Sequence, residues 1–456
     1  MSGLTKTKEI DMCNGPLFGK MLRFAVPIML SGVLQLLFNA ADTIVVGRFV
    51  GNEALAAVGS TGSLVNMMVN LFMGLSVGTS VLVARYYGAG QYEKVSDTVH
   101  TAIMVSLVGG VILIVVGEIF ARQVLLLMGS PADVIDLAAL YIRIYFLGMP
   151  VVLLYNYGSA VLKSVGDADH PLYYLVIAGV LNVILNLVFV IVFNLSVAGV
   201  ALATIISQCL SAFLVLRKLM KAEGAIRVEL DRLKFHKEAF WGIMKIGLPA
   251  GIQGSLFSLS NTVIQSAVNS FGSVVMAGNS AAVSLDGFLY AALNSFQQTA
   301  INFTSQNRGA GKYERTTRVL LLCSVMVSVF GICLGCLGYA FGRMLLGIYS
   351  SDAEVIGYGL VHMRYVTIFY FVFGLMDVFA GYLRGMGYSL MPTVVTLLGV
   401  CLLRMVWIAI VFPMARSYET ICYSYLASWV VTITVHLICM AITCRKYWRK
   451  GADTSI

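Results

Sequence analysis

Gly88-Ala89-Gly90-Gln91-Tyr92-Glu93-Lys94 returns 221 residues later as Gly309-Ala310-Gly311-Lys312-Tyr313-Glu314-Arg315. The same shift lays Arg122 on Arg343, Arg143 on Arg364, Leu162-Lys163 on Leu383-Arg384, Gly166 on Gly387 and Pro171 on Pro392. A shift of 222 lays Pro27, Gly32 and Asn39 on Pro249, Gly254 and Asn261. Glycines, prolines and charges matching in one register mark a duplicated chain.

What surrounds the repeat is apolar. Hydrophobic residues make up 59% of the 456-residue chain and charged residues 12%, too few charges to cover a water-soluble surface. A bilayer core takes about 20 apolar residues of helix. Runs of that kind fall near 21–46, 55–84, 97–127, 137–164, 171–194 and 197–218. Six more follow near 239–268, 275–305, 316–346, 356–383, 391–413 and 420–444. The pattern predicts an all-α polytopic membrane protein with twelve transmembrane helices in two six-helix lobes. Its expected parts are a segment 1–20, a lobe 21–218, a polar linker 219–238, a lobe 239–444 and a tail 445–456. The first twenty residues lack the apolar core of a cleavable signal.

Lys and Arg placement supports this topology. With the amino terminus and every second loop in the cytoplasm, 24 of the 31 basic residues lie on that side and six on the other. This positive-inside bias predicts a multi-pass protein of the bacterial plasma (inner) membrane with both termini cytoplasmic. It also accounts for the net charge of +9 without a nucleic-acid partner. Each unit holds an even number of helices, so the two are parallel repeats about a pseudo-two-fold axis along the membrane normal. Lobes so related can rock about a cleft, the geometry of alternating access. Cys333 and Cys336 have C-x-x-C spacing but no second pair or nearby His, and read as packing. The five histidines show no ligand spacing. Neither a metal nor a cofactor is expected.

Charges inside a span are costly and so are functional candidates. Asp42 leads them, because Gln35, Asn39 and Asp42 follow i, i+4, i+7 spacing and share one face of the first helix. The alternative for Asp42 is a helix cap or a pair with Arg48. Pro27 lacks an amide hydrogen and can hinge the same helix. The second lobe offers Asp286, Asp377 and Arg404. An arginine in mid-span should face Asp377, Asp286 or a wet cleft. Either aspartate could instead contact cationic cargo or relay protons.

Leu22-Arg23-Phe24-Ala25-Val26-Pro27, the run from Asn39 to Arg48 (Asn-Ala-Ala-Asp-Thr-Ile-Val-Val-Gly-Arg) and Leu55-Ala56-Ala57-Val58-Gly59 resemble the opening of MATE (multidrug and toxic compound extrusion) exporters. So do Gln306-Asn307-Arg308-Gly309-Ala310-Gly311 and Leu383-Arg384-Gly385-Met386-Gly387. The resemblance covers roughly residues 15 to 445. It implies export of amphipathic, often cationic compounds coupled to H⁺ or Na⁺, with Asp42 at the acidic position that takes the coupling cation. It also implies that Asn182, Asn186 and Thr204 complete that site. One branch has Asp where this chain has Asn186, so one charge is missing and the expectation leans to H⁺. The other use of Asn182 and Asn186, one helical turn apart, is hydrogen bonding between helices.

Met67, Met73, Phe257, Phe288, Tyr290 and Tyr370 are candidates to line a substrate cleft by cation–π and adaptable apolar contacts, against the commoner packing role. A flippase for a lipid-linked precursor is the alternative function. It would want several interior basic residues, and few are present. An enzyme is not expected, since no acidic metal pair and no nucleophile with a His partner is found. The expected partners are small-molecule substrates and the lipid bilayer, with the chain acting as a monomer.

Overall fold

The computed structural model describes residues 9–127 and 134–453. Parts of the segments 1–20 and 445–456, and the side chain of Met67, lie outside the described residues. Among those described, the regular structure is entirely helical.

The first copy comprises α1 (Leu17–Phe49), α2 (Asn52–Gly88), α3 (Tyr92–Leu127), α4 (Ile135–Leu147), α5 (Met149–Ser164), α6 (Asp169–Leu187) and α7 (Ser196–Met220). The second comprises α8 (Lys237–Asn269), α9 (Ser273–Gly309), α10 (Tyr313–Ala340), the short α11 (Gly342–Leu346), α12 (Ala353–His362), α13 (Tyr370–Gly385), α14 (Leu390–Met414) and α15 (Tyr418–Asp453). Eight described helices are long and apolar enough to cross a bilayer. The bent pairs α4–α5 and α12–α13, broken by 48° and 41°, bring the number to ten. The remaining two, α8 and α9, have 33 and 37 residues but are too polar to qualify on composition. In α9 the more strongly polar side chains Asn279, Asp286, Asn302, Gln306 and Asn307 are buried, while Ser280 and Ser284 are exposed. Lipid therefore meets little of that polarity, and the twelve-helix, two-copy layout stands.

Both bends fall at the same place in the repeat. In the first copy Gly148 and Pro150 interrupt the span, since proline cannot donate to the preceding turn. In the second, a π-helical turn, Met363–Thr367, does so. Helix ends repeat as well. Gly90 and Gly311 take positive φ of 68° and 74°, which a side chain would oppose, and so fix the Gly-Ala-Gly turns quoted first.

Two compact units result, residues 1–11 with 30–251 and residues 12–29 with 252–456. The cut falls inside α1 and α8, two residues beyond Pro27 and Pro249. Within the first unit, Gly74 and Gly78 of α2 face Gly247 and Gly251 of α8. A Cβ on any of these four would overlap the opposite backbone. Small residues four apart let membrane helices touch, where dispersion and not water exclusion holds them together. On α3, Val111, Ile112, Val115 and Ile119 are more than half exposed and form one lipid-facing stripe.

Candidate functional site

The three polar residues predicted to share a face of α1 do so, and Gln35, Asn39 and Asp42 line one cavity of about 440 Å³ in the first unit. Asn186 of α6 donates its amide to the Asp42 carboxylate. The same amide nitrogen lies 3.3 Å from Asn182 Oδ1, and Asn182 Nδ2 lies 3.4 Å from Thr204 Oγ1 on α7. The four residues on α1, α6 and α7 thus form one chain, Asp42–Asn186–Asn182–Thr204. Asn186 is wholly buried, and its Oδ1 has no hydrogen-bond partner. Such an atom is costly in a low-dielectric interior unless a donor arrives in some state of the protein. Among the described residues no basic side chain pairs with Asp42, so the pairing with Arg48 is not formed.

Met73, one of the candidate cleft residues, lines the same cavity. Sequence reasoning missed two further wall residues, Tyr141 and Tyr145 of α4, whose rings stack at 6.0 Å. Their i, i+4 spacing was the only signal available. Asn156 also faces the cavity and donates to the Val152 carbonyl at 2.8 Å. It is the repeat counterpart of Asp377.

In the second unit the charged candidates are arranged otherwise than expected. Asp286 pairs with His362, Oδ2 to Nε2, at 2.9 Å and accepts the Thr367 hydroxyl at 2.6 Å on Oδ1. Among the described residues neither oxygen bonds or pairs with Arg404. Arg404 Nε instead donates to Ser428 at 2.9 Å, and the guanidinium lies 4.3 Å over the Tyr425 ring and 5.8 Å over Trp429. A weakly hydrated planar cation can take aromatic faces where a carboxylate is lacking. Asp377 is buried and makes no ion pair among the described residues. Of the neighbours offered for Arg404, neither aspartate pairs with it among the described residues. His362 was missed because no spacing rule links it to a residue 76 positions away.

Of the proposed aromatic lining, Phe257, Tyr290 and Tyr370 gather around Phe373, with ring centroids 6.3, 5.8 and 5.3 Å away. Phe288 is half-buried on α9 and makes no ring contact among the described residues. The described residues hold no cluster of three or more metal-ligating side chains.

The MatE family model matches residues 27–188 and 249–410, two segments offset by the repeat. The probable multidrug resistance protein YoeA of Bacillus subtilis is 29% identical over 385 residues, 83% of each chain. An FAD transporter of Shewanella oneidensis is 25% identical, over 81% of this chain and 82% of its own. Among solved structures, an outward-facing multidrug resistance MATE family transporter of the MOP superfamily superposes with a TM-score of 0.91. It is 20% identical and covers 98% of this chain and all of its own. Two matched halves on a twelve-helix membrane fold place the chain in the MatE family of multidrug efflux transporters, which are carriers of small molecules and not enzymes.

Proposed function

We propose that this protein is an antiporter that exports amphipathic, cationic small molecules in exchange for H⁺, with Asp42 as the exchanged carboxylate. The observation that carries the reading is the chain Asp42–Asn186–Asn182–Thr204, in which Asp42, Asn182 and Thr204 line the first-unit cavity and Asn186 is buried behind them. Asn186 suits a proton site. Its amide nitrogen donates to an ionised Asp42, and its partnerless oxygen can accept from a protonated one after the amide rotates. A single carboxylate flanked by amides and a hydroxyl offers Na⁺ less charge than a pair of carboxylates does. Proton and cationic cargo would then compete for one negative charge, which links their movements. Exchange of one proton for one monovalent cation moves no net charge, so the pH difference drives it, at about 1.4 kcal/mol or tenfold in cargo gradient per pH unit.

The test is ethidium efflux from proteoliposomes carrying wild type or Asp42→Asn, with ΔpH and Na⁺ gradients imposed separately. Wild-type efflux that follows ΔpH and is lost in Asp42→Asn is expected. Efflux that follows Na⁺ alone overturns H⁺ coupling, and efflux that survives Asp42→Asn overturns the role of Asp42.

Anionic cargo, a lipid-linked precursor included, is the second reading. Arg384 and Arg404 are buried, and Nε of the first and Nη2 of the second have no hydrogen-bond partner. One relative is named an FAD transporter. Flavin-nucleotide uptake into inverted vesicles, lost on Arg384→Gln, would favour it.

A further inference from the structure

A second cavity, of about 570 Å³, opens on the first unit between α2, α3 and the start of α8. One wall is the α8 face carrying Phe240, Met244 and Leu248, spaced at i, i+4 and i+8, with Lys237 one turn before them. Val108 and Ile112 of α3 and Phe72 of α2 oppose that face. Gly109 makes room for the Phe72 ring, which a Cβ there would strike. The walls are apolar along their whole length, and the charge stands at one end.

That end is the level of the 219–238 linker. The His236 amide donates to Thr101 Oγ1 of α3 at 3.1 Å, and its ring pairs with Asp97 at 3.5 Å, so the chain enters α8 at a fixed height. From Lys237 to Leu248 the helix rises about 16 Å, half of a bilayer core of ~30 Å. Trp241, 60% exposed beside Phe240 with ring centroids 5.6 Å apart, has the position of an interfacial aromatic. The groove thus spans the depth of a single leaflet.

We propose that this groove binds one acyl chain of an anionic phospholipid from the leaflet on the linker side, with the headgroup phosphate on Lys237. Lys237 is exposed and makes no ion pair among the described residues. Of the nearby carboxylates, Asp97 is held by His236, while Glu238 points to solvent. A peptide laid here would bring backbone N–H and C=O groups against walls that offer them no partner. An acyl chain brings none, and a volume near 570 Å³ lies within the range of small-molecule sites. The site rests on these walls and on Lys237, and not on which ion drives transport.

Native mass spectrometry of the full-length protein in detergent tests this, with titrations of palmitoyl-oleoyl phosphatidylglycerol and of the phosphatidylcholine with the same chains. One saturable phosphatidylglycerol adduct is expected, weakened about fivefold by Lys237→Gln toward the phosphatidylcholine value. Val108→Trp, which fills the groove from an exposed position, should remove the adduct for both lipids. A diazirine-tailed phosphatidylglycerol gives a readout on unmutated protein and should label the peptides containing Met244 or Ile112. Equal binding of the two lipids, an adduct indifferent to both variants, or labelling elsewhere overturns the proposal. So does displacement of the lipid by ethidium at transport concentrations, which would reassign the groove to cargo.

Discussion

Asp286 and His362 lie 76 residues apart in the chain and 2.9 Å apart in the fold, and the second oxygen of that carboxylate takes Thr367. His362 ends α12 and Thr367 ends the π-helical turn that follows it. One carboxylate therefore spans the turn at which the tenth span bends.

Breaking this pair should be expensive, because each single change leaves a buried polar group unmatched. Both side chains are under a tenth exposed. Asp286→Leu or His362→Leu alone should cost about 3–5 kcal/mol, and the double variant less than the sum of the two. Thermal unfolding in detergent measures the cycle. Additive losses would mean that the two do not couple.

Restoring the second carboxylate should change the ion that the first unit accepts. Asn186→Asp sets a second negative charge against Asp42. Efflux driven by a Na⁺ gradient should appear or increase in this variant relative to wild type. A variant as indifferent to Na⁺ as its parent would show that the missing charge does not decide selectivity.

At the glycine contact, Gly78→Leu should force α2 from α8, since even a Cβ there meets the Ile243 carbonyl and the Gly247 backbone. Over-packing of this kind costs about 1–3 kcal/mol, and more where backbone must move. A lower melting temperature is expected, while Gly90→Asn at the left-handed turn should be mild, because Asn tolerates that conformation. Equal effects of the two would contradict the close packing.

Outside the membrane, Glu9 responds to pH in a predictable direction. Partial desolvation and the neighbouring Asp167 carboxylate raise its pKa above the usual range, against smaller opposing effects of Lys218 and the Tyr87 hydroxyl. An acid whose folded pKa is raised stabilises the folded segment most below its unfolded pKa. That contribution is lost as pH rises through the folded value. The Ile10 amide, bonded to the Gly166 carbonyl at 3.2 Å, should exchange hydrogen with a protection factor that falls on raising pH through this window. In Glu9→Gln the protection factor should stay level.

The repeat and the helix count were legible because they rest on local regularities, whereas the joining of Asp42 to Asn182, Asn186 and Thr204 came only from the family resemblance. Gln35, Asn39 and Asp42 share a face by helical spacing, and Asn182 and Asn186 stand one turn apart. The sequence misled in the second unit, where no motif marked the contacts. Arg404 pointed to a carboxylate by charge alone, yet Ser428 and the Tyr425 ring hold it. His362 carried no pattern at all. Tyr141 and Tyr145 resembled any aromatic pair in an apolar helix until the neighbouring helices showed which side they faced.

The inward-turned polarity of α9 bears on how the protein is made. A helix too polar to partition into lipid alone cannot be released singly as it leaves the translocation channel. Its natural partner is α10, which is apolar enough to enter by itself and which follows after a three-residue turn. Insertion of α9 and α10 together, as a hairpin, is the expected consequence. A nascent chain that ends after α9 would leave that segment exposed to quality control, whereas one that includes α10 would shelter it.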